Sequence, residues 1–224
     1  MANELGDKLL KDIKACIFDM DGTVVDSMWV WGSIDIEYLE RFGYDVPADM
    51  KEDIEGASMR EVAAYFKNRF NLSDDLDTII NDWNDMAIYK YANEVPLKPH
   101  IKEFFEYLKA HNIKIGLFTS NSMVLAEACL KGLGIYDYFD ALTAGCSDIK
   151  GKPEPDGYLL TADKLSVEYS KCLVFEDLVK GITAGKNAGM KTCAVKDDYS
   201  DYQLKEKIEA ADYYIEDYYE VFNN

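Results

Sequence analysis

Ala15-Cys16-Ile17-Phe18-Asp19-Met20-Asp21-Gly22-Thr23 is the stretch on which the reading of this chain turns. The apolar run Ala15 to Phe18 predicts a short buried strand, and two carboxylates follow it directly. Side chains on extended backbone alternate, so Asp19 and Asp21, spaced i and i+2, point the same way and converge on one small volume. Two ionised carboxylates that close repel, so the pair requires a cation, a shared proton or both. Gly22 permits a sharp turn and close backbone approach to a ligand, and Thr23 offers an N–H and a hydroxyl able to hold an anion. An acidic turn capping the next helix is the plainer alternative.

Three later segments have matching character. Ile113-Lys114-Ile115-Gly116-Leu117-Phe118 predicts a second buried strand that ends in the donors Thr119-Ser120-Asn121. Lys152 stands in Gly151-Lys152-Pro153-Glu154-Pro155-Asp156, where two prolines stiffen the loop around one cation. Cys172-Leu173-Val174-Phe175 predicts a third buried strand and terminates in Glu176-Asp177. Taken singly these are weak signals: a hydroxyl after a strand caps helices, a lysine is usually solvated, and paired acids suit a helix N-terminus. Four such pieces in order, three of them at strand ends where open α/β sheets bind ligands, make coincidence a poor account.

On these residues the chain resembles the haloacid dehalogenase superfamily of aspartyl-nucleophile phosphotransferases, over nearly its whole length. The resemblance implies that Asp19 is the nucleophile and Asp21 the general acid and base. It makes Thr119 a phosphoryl donor and Lys152 the cation that neutralises the transferring group. It also implies Mg²⁺ held by Asp19, the backbone carbonyl of Asp21 and Asp177, with Glu176 beside them; an all-oxygen set suits a hard cation. Gly22, Thr23, Ser120, Asn121 and Arg60 complete the expected substrate contacts. Arg60 would clamp a second phosphate or a sugar hydroxyl, with a solvated helix-start residue as the alternative.

Composition agrees with an ordinary soluble globular protein. The chain has 224 residues, 48% of them hydrophobic and 29% charged. That length suffices for one full core and a small accessory domain. No apolar run approaches a membrane span, and the opening residues lack the basic-then-apolar pattern of a signal peptide, so a cytoplasmic address is expected. The five cysteines show no Cys-x-x-Cys spacing, and three sit in strand-like runs as small hydrophobes. A formal charge of −18 argues against nucleic acid and anionic membrane as partners. A phosphorylated substrate must therefore meet a locally positive pocket inside a negative shell, screened beyond about 8 to 10 Å.

Strands are expected near residues 14–19, 113–118, 140–144, 171–176, 191–195 and 212–215. Between them lie amphipathic helical segments near 101–111, 123–133, 156–165 and 179–188. This alternation predicts an α/β fold, a mostly parallel sheet covered by helices on both faces, Rossmann-like in the family's terms. Residues 28–94 break the pattern: Tyr38-Leu39 and Phe42, then Val62, Tyr65-Phe66 and Phe70, then Trp83 and Tyr91 keep helical spacing with no strand. The resemblance makes this a small all-helical cap inserted after the first strand, with joints at Gly43 to Pro47 and at residues 56–58. The expected domains are a core of 1–27 plus 95–224 and a cap of 28–94. Trp29 and Trp31 either line a pocket or pack between cap and core. His100 and His111 have no place in the expected chemistry.

Trp31 stands where relatives similar to β-phosphoglucomutase carry a histidine, which weakens a mutase reading. Leu178 replaces the serine that many relatives have after the paired acids. The expectation is a Mg²⁺-dependent phosphomonoester hydrolase acting, as a monomer, on a small and sugar-like phosphorylated metabolite. A phosphoglucomutase-type isomerase and a catalytically idle binding module are the alternatives.

Overall fold

The structure is a computed structural model that describes residues 4–54, 59–145 and 149–223. Strands β1 (Ala15–Phe18), β2 (Lys114–Thr119), β3 (Ala141–Ala144), β4 (Cys172–Glu176), β5 (Lys191–Val195) and β6 (Tyr213–Ile215) form one sheet in the order β3-β2-β1-β4-β5-β6. Every neighbouring pair is parallel, with Ile17 beside Gly116 on one side and beside Val174 on the other. The most apolar strands, β1 and β4, lie in the middle, as burial on both faces demands.

Alternation along the strands divides the core in two. Cys16, Phe18, Ile115, Leu117, Leu173 and Phe175 point to the larger cluster, which α6 (Ile101–Ala110) and α11 (Tyr219–Phe222) cover. Phe18 stacks on Phe175 with ring centroids 4.7 Å apart, and Phe104 meets Phe175 edge-on at 5.5 Å. Ala15, Ile17, Cys172 and Val174 face the other way, against Tyr158, Ala162 and Leu165 of α8 (Asp156–Leu165) and Ala184 of α9 (Val179–Asn187). The result is the expected Rossmann-like α/β sheet with helices on both faces.

Helices α2 (Val30–Glu40), α3 (Met50–Ile54), α4 (Met59–Arg69) and α5 (Leu76–Asn93) follow β1 as a helical cap with an aromatic centre. Trp83 of α5 receives the edges or faces of Tyr38 at 5.6 Å and Phe66 at 4.9 Å, and each such pair contributes roughly 0.5–1.5 kcal/mol beyond its burial. Asp75 caps α5, its carboxylate accepting from the Thr78 N–H. The expected joint at residues 56–58 lies outside the described residues. So does Cys146; Cys16, Cys129, Cys172 and Cys193 are buried free thiols.

The remaining elements are α1 (Glu4–Leu9), α7 (Met123–Gly132) and α10 (Leu204–Ala210). Short terminal helices such as α1 and α11 are missing from the sequence reading because four to six residues are too few to show a period. Among the described residues no helix is long and apolar enough to cross a membrane.

Candidate active site

The sheet delivers three strand ends to one place. The Asp19 N–H still bonds the Phe175 carbonyl at 3.0 Å, so its backbone is pinned to β4 although the strand proper has ended. The chain then turns sharply: the Met20 carbonyl accepts from the N–H groups of Val24 and Val25 at 2.9 and 3.1 Å, and the Gly22 N–H reaches the Val25 carbonyl at 2.8 Å. Gly22 has φ +74°, and a Cβ there would stand 2.5 Å from Asp177 Oδ2. Only glycine satisfies both the left-handed backbone and the contact.

Lys152 arrives on the loop between β3 and α8, fixed in part by the Asn187 amide donating to the Pro153 carbonyl at 3.1 Å. Its ammonium lies between two carboxylates, pairing with Asp19 and with Glu176 at 2.6 Å. The rings of Phe118 and Tyr158 flank the ammonium at 5.1 and 5.7 Å, adding cation–π attraction. Burial acts against that charge, but Asp19 and Glu176 more than reverse it and push the lysine up. Burial in turn pushes Asp19 up; Lys152 opposes this, while Glu176 and Asp21 add to it.

Both oxygens of Glu176 are engaged. It accepts from Lys152, from the Tyr158 hydroxyl at 2.8 Å and from the Leu178 N–H at 3.3 Å. Asp177 is the opposite case: it is 1% exposed and neither carboxylate oxygen has a hydrogen-bond partner. Burial, with Glu176 and Asp19 nearby, pushes its carboxyl well up. Its backbone is braced from beneath, since the Asp177 carbonyl accepts from Ser200 Oγ at 3.1 Å and Ser200 Oγ accepts from buried Lys207 at 2.9 Å. One carboxylate oxygen from each of Asp19, Glu176 and Asp177 lies within 4.8 Å of the others. Orphaned buried carboxylate oxygens beside two further acids fit a hard cation.

Asp21 occupies a different environment. Its Oδ1 accepts from Ser27 Oγ at 2.5 Å and from the Tyr91 hydroxyl at 2.6 Å, and its Oδ2 accepts from the Asn121 amide at 2.7 Å. Burial pushes this carboxyl up, and the Ser27 and Tyr91 hydrogen bonds pull it part of the way back. Thr119, the last residue of β2, is buried and its Oγ1 accepts the Asn121 N–H at 3.0 Å, leaving the hydroxyl proton available.

The structure thus brings Asp19, Asp21, Lys152, Glu176 and Asp177 together. Asp19, Asp21, Ser120, Lys152 and Lys180 line one cavity of about 230 Å³. Asn121, expected at the substrate, instead holds Asp21. Thr23 is fully buried and its hydroxyl lacks a partner. Arg60 is not among the cavity's lining residues; it pairs with Asp77 at 2.7 Å on an exposed face. Ser27, Tyr91, Tyr158 and Lys180 are not among the site residues that the sequence predicts. Tyr91 and Tyr158 fall in helical apolar stripes, where nothing local separates a core tyrosine from one whose hydroxyl reaches a site. A larger cavity of about 660 Å³ is lined by Trp29, Lys98 and Asp197 but by none of the converging acids.

The haloacid dehalogenase-like hydrolase family matches residues 13–189. The chain belongs to this family. This haloacid dehalogenase-like hydrolase is 29% identical over 179 residues to a phosphorylated carbohydrates phosphatase of Thermotoga maritima, covering 80% of this chain and 83% of that one. It is 27% identical over 197 residues to hexitol phosphatase B of Escherichia coli K12, covering 83% and 84% of the two chains. Among solved structures, a putative β-phosphoglucomutase from Thermotoga maritima superposes with a TM-score of 0.80 at 27% identity, covering 93% of this hydrolase and 97% of that chain.

Proposed function

We propose that this hydrolase is a Mg²⁺-dependent phosphatase that releases phosphate from a small, sugar-like phosphomonoester through an aspartyl-phosphate on Asp19. The observation that carries this reading is the Lys152 ammonium held between Asp19 and Glu176, with the unpartnered Asp177 carboxylate alongside. The relatives named as phosphatases of phosphorylated carbohydrates and hexitols support the substrate class. Asp19, Asp177 and the Asp21 carbonyl would hold the cation, with Glu176 behind them because its oxygens already serve three donors. When bound, the cation would neutralise the carboxylates and the incoming phosphate charge.

An Asp19 oxygen attacks phosphorus as the bond to the leaving oxygen breaks, and Asp21 gives its proton to that oxygen. Asp21, now ionised, then takes a proton from water as the water oxygen attacks phosphorus, and the Asp19–phosphorus bond breaks to release inorganic phosphate. Lys152 offsets negative charge on Asp19 and on the transferring group, and the Thr119 hydroxyl donates to a phosphoryl oxygen. The helical cap would exclude water and read the leaving group, with Ser120, which lines the cavity, as the proposed contact and Asn121 acting through Asp21.

The test is inorganic phosphate release from a panel of sugar and polyol phosphates, with and without Mg²⁺, alongside interconversion of β-glucose 1-phosphate and 6-phosphate. Release that needs Mg²⁺ and exceeds isomerisation is expected, and Asp177→Ala should raise the Mg²⁺ requirement at least about tenfold. Isomerisation that outpaces release overturns the hydrolase assignment, and a flat metal dependence overturns the ligand set.

A further inference from the structure

The two oxygens of Asp21 are not equivalent. Oδ1 accepts two hydroxyl hydrogen bonds, from Ser27 at 2.5 Å and Tyr91 at 2.6 Å, whereas Oδ2 accepts one, from the Asn121 amide at 2.7 Å. A carboxyl oxygen has two lone pairs in its plane, so donors fill both on Oδ1. With both hydroxyls donating, a proton on the neutral acid sits on Oδ2.

Tyr91 reaches Asp21 from 70 residues away. It stands near the end of α5, an 18-residue helix about 27 Å long that starts in the cap, where Ile79 and Trp83 are buried. The far end is clamped to α7: a Cβ on Gly132 would stand 2.1 Å from the Ala92 carbonyl oxygen, so the two backbones touch. Ala92 adjoins Tyr91, and Tyr91 itself is 2% exposed. The hydroxyl is therefore delivered to Asp21 by a rigid rod joined to the cap at one end and to the sheet's helices at the other.

We propose that Tyr91 is a positioning residue that fixes which oxygen of Asp21 carries the catalytic proton, so that α5 sets the general acid for the leaving group. The inference rests on the reading of Asp21 as the acid. In the step it serves, the Oδ2–H bond breaks, its electrons stay on the carboxylate, and the proton passes to the leaving oxygen as that oxygen parts from phosphorus. Without the Tyr91 hydroxyl, Oδ1 regains a vacant lone pair and the proton is shared with an oxygen aimed elsewhere.

Tyr91→Phe removes one O–H and keeps the ring. The measurement is kcat/KM for p-nitrophenyl phosphate, whose leaving group departs without a proton, and for the best primary alkyl phosphate, whose leaving group needs one. This constant covers steps only up to phosphorylation of Asp19, so slow hydrolysis of the intermediate does not enter. The aryl-to-alkyl ratio should rise at least tenfold, and Ser27→Ala, which frees the same oxygen, should shift it in the same direction. An unchanged ratio in Tyr91→Phe, whether both substrates keep their rates or lose them in parallel, overturns the proposal. Asp21→Asn separates the two levels. A raised ratio there with a flat ratio in Tyr91→Phe removes Tyr91 alone, and a flat ratio in both removes the acid assignment and the proposal together.

Discussion

Asp19 and Asp21 leave the same strand end two residues apart, yet their surroundings differ in kind. Asp19 lies among charges, with the Lys152 ammonium on it and the acids Glu176 and Asp177 beside it. Asp21 lies among neutral donors, two hydroxyls and an amide. A nucleophile that must stay ionised profits from a fixed cation and from a metal. A group that must give up and regain a proton profits from neutral donors, which hold its position without locking it in one charge state. In the proposed mechanism, neighbouring residues of one type are thus separated in role by what the rest of the fold brings to them.

The comparison breaks most completely at Asp19. Asp19→Asn should lower phosphate release on the order of a thousandfold or more, because it turns the carboxylate proposed to attack into a neutral amide. Its melting temperature should change little, since the variant loses the pair with Lys152 but also a charge that burial, Glu176 and Asp21 oppose, and Lys152 keeps Glu176. A variant that keeps its rate ends the covalent mechanism.

Gly181→Ala should damage the charged side alone. A Cβ at Gly181 would stand 1.7 Å from Glu176 Oε1, so the carboxylate must move and take Lys152 with it. Phosphate release should fall about tenfold or more and stability by about 1–3 kcal/mol, read by turnover and chemical denaturation. The aryl-to-alkyl ratio should hold, because the donors to Asp21 are untouched. A change in that ratio would show that the two sides are not separable.

Asp35 supplies the smallest effect and a third kind of carboxylate, one raised by burial alone, to about 6. Its folded pKa lies above the unfolded value near 3.9, so the native state binds the proton more tightly and loses stability as pH rises between the two. Asp35→Asn should therefore stabilise the protein above pH 6, by about 1 kcal/mol after discounting its partial exposure, with the gain vanishing below pH 4. Thermal melts at pH 8 and pH 4 check it, and an equal gain at both would reject the burial argument.

The core of the fold was legible because buried parallel strands are short apolar runs with chemistry at one end. The expected strand at 191–195 coincides with β5, and the others agree with the structure to within a residue or so at either end. The converging acids and Lys152 were legible for the same reason, since strand ends and a proline-flanked loop are local features. Asn121 was placed on the substrate because an amide after a strand is a generic donor, whereas its partner Asp21 lies 100 residues back. The family resemblance points Arg60 toward the site, whereas the structure agrees with the alternative, a residue in the first turn of α4 that Asp77 engages on the surface.

The amino-acid order alone determined a parallel α/β sheet, a helical insertion after the first strand, and the placing of acids and hydroxyl donors at strand ends. Those properties follow from periodicity and residue type, which act over a few positions. Only the tertiary structure decided that Glu176 is engaged by three donors while Asp177 is bare, that Lys207 braces the loop through Ser200, and that a tyrosine 70 residues away grips Asp21. Hydrogen bonds between segments far apart in sequence depend on how helices pack on the sheet, and packing leaves no local trace in the residues that it joins.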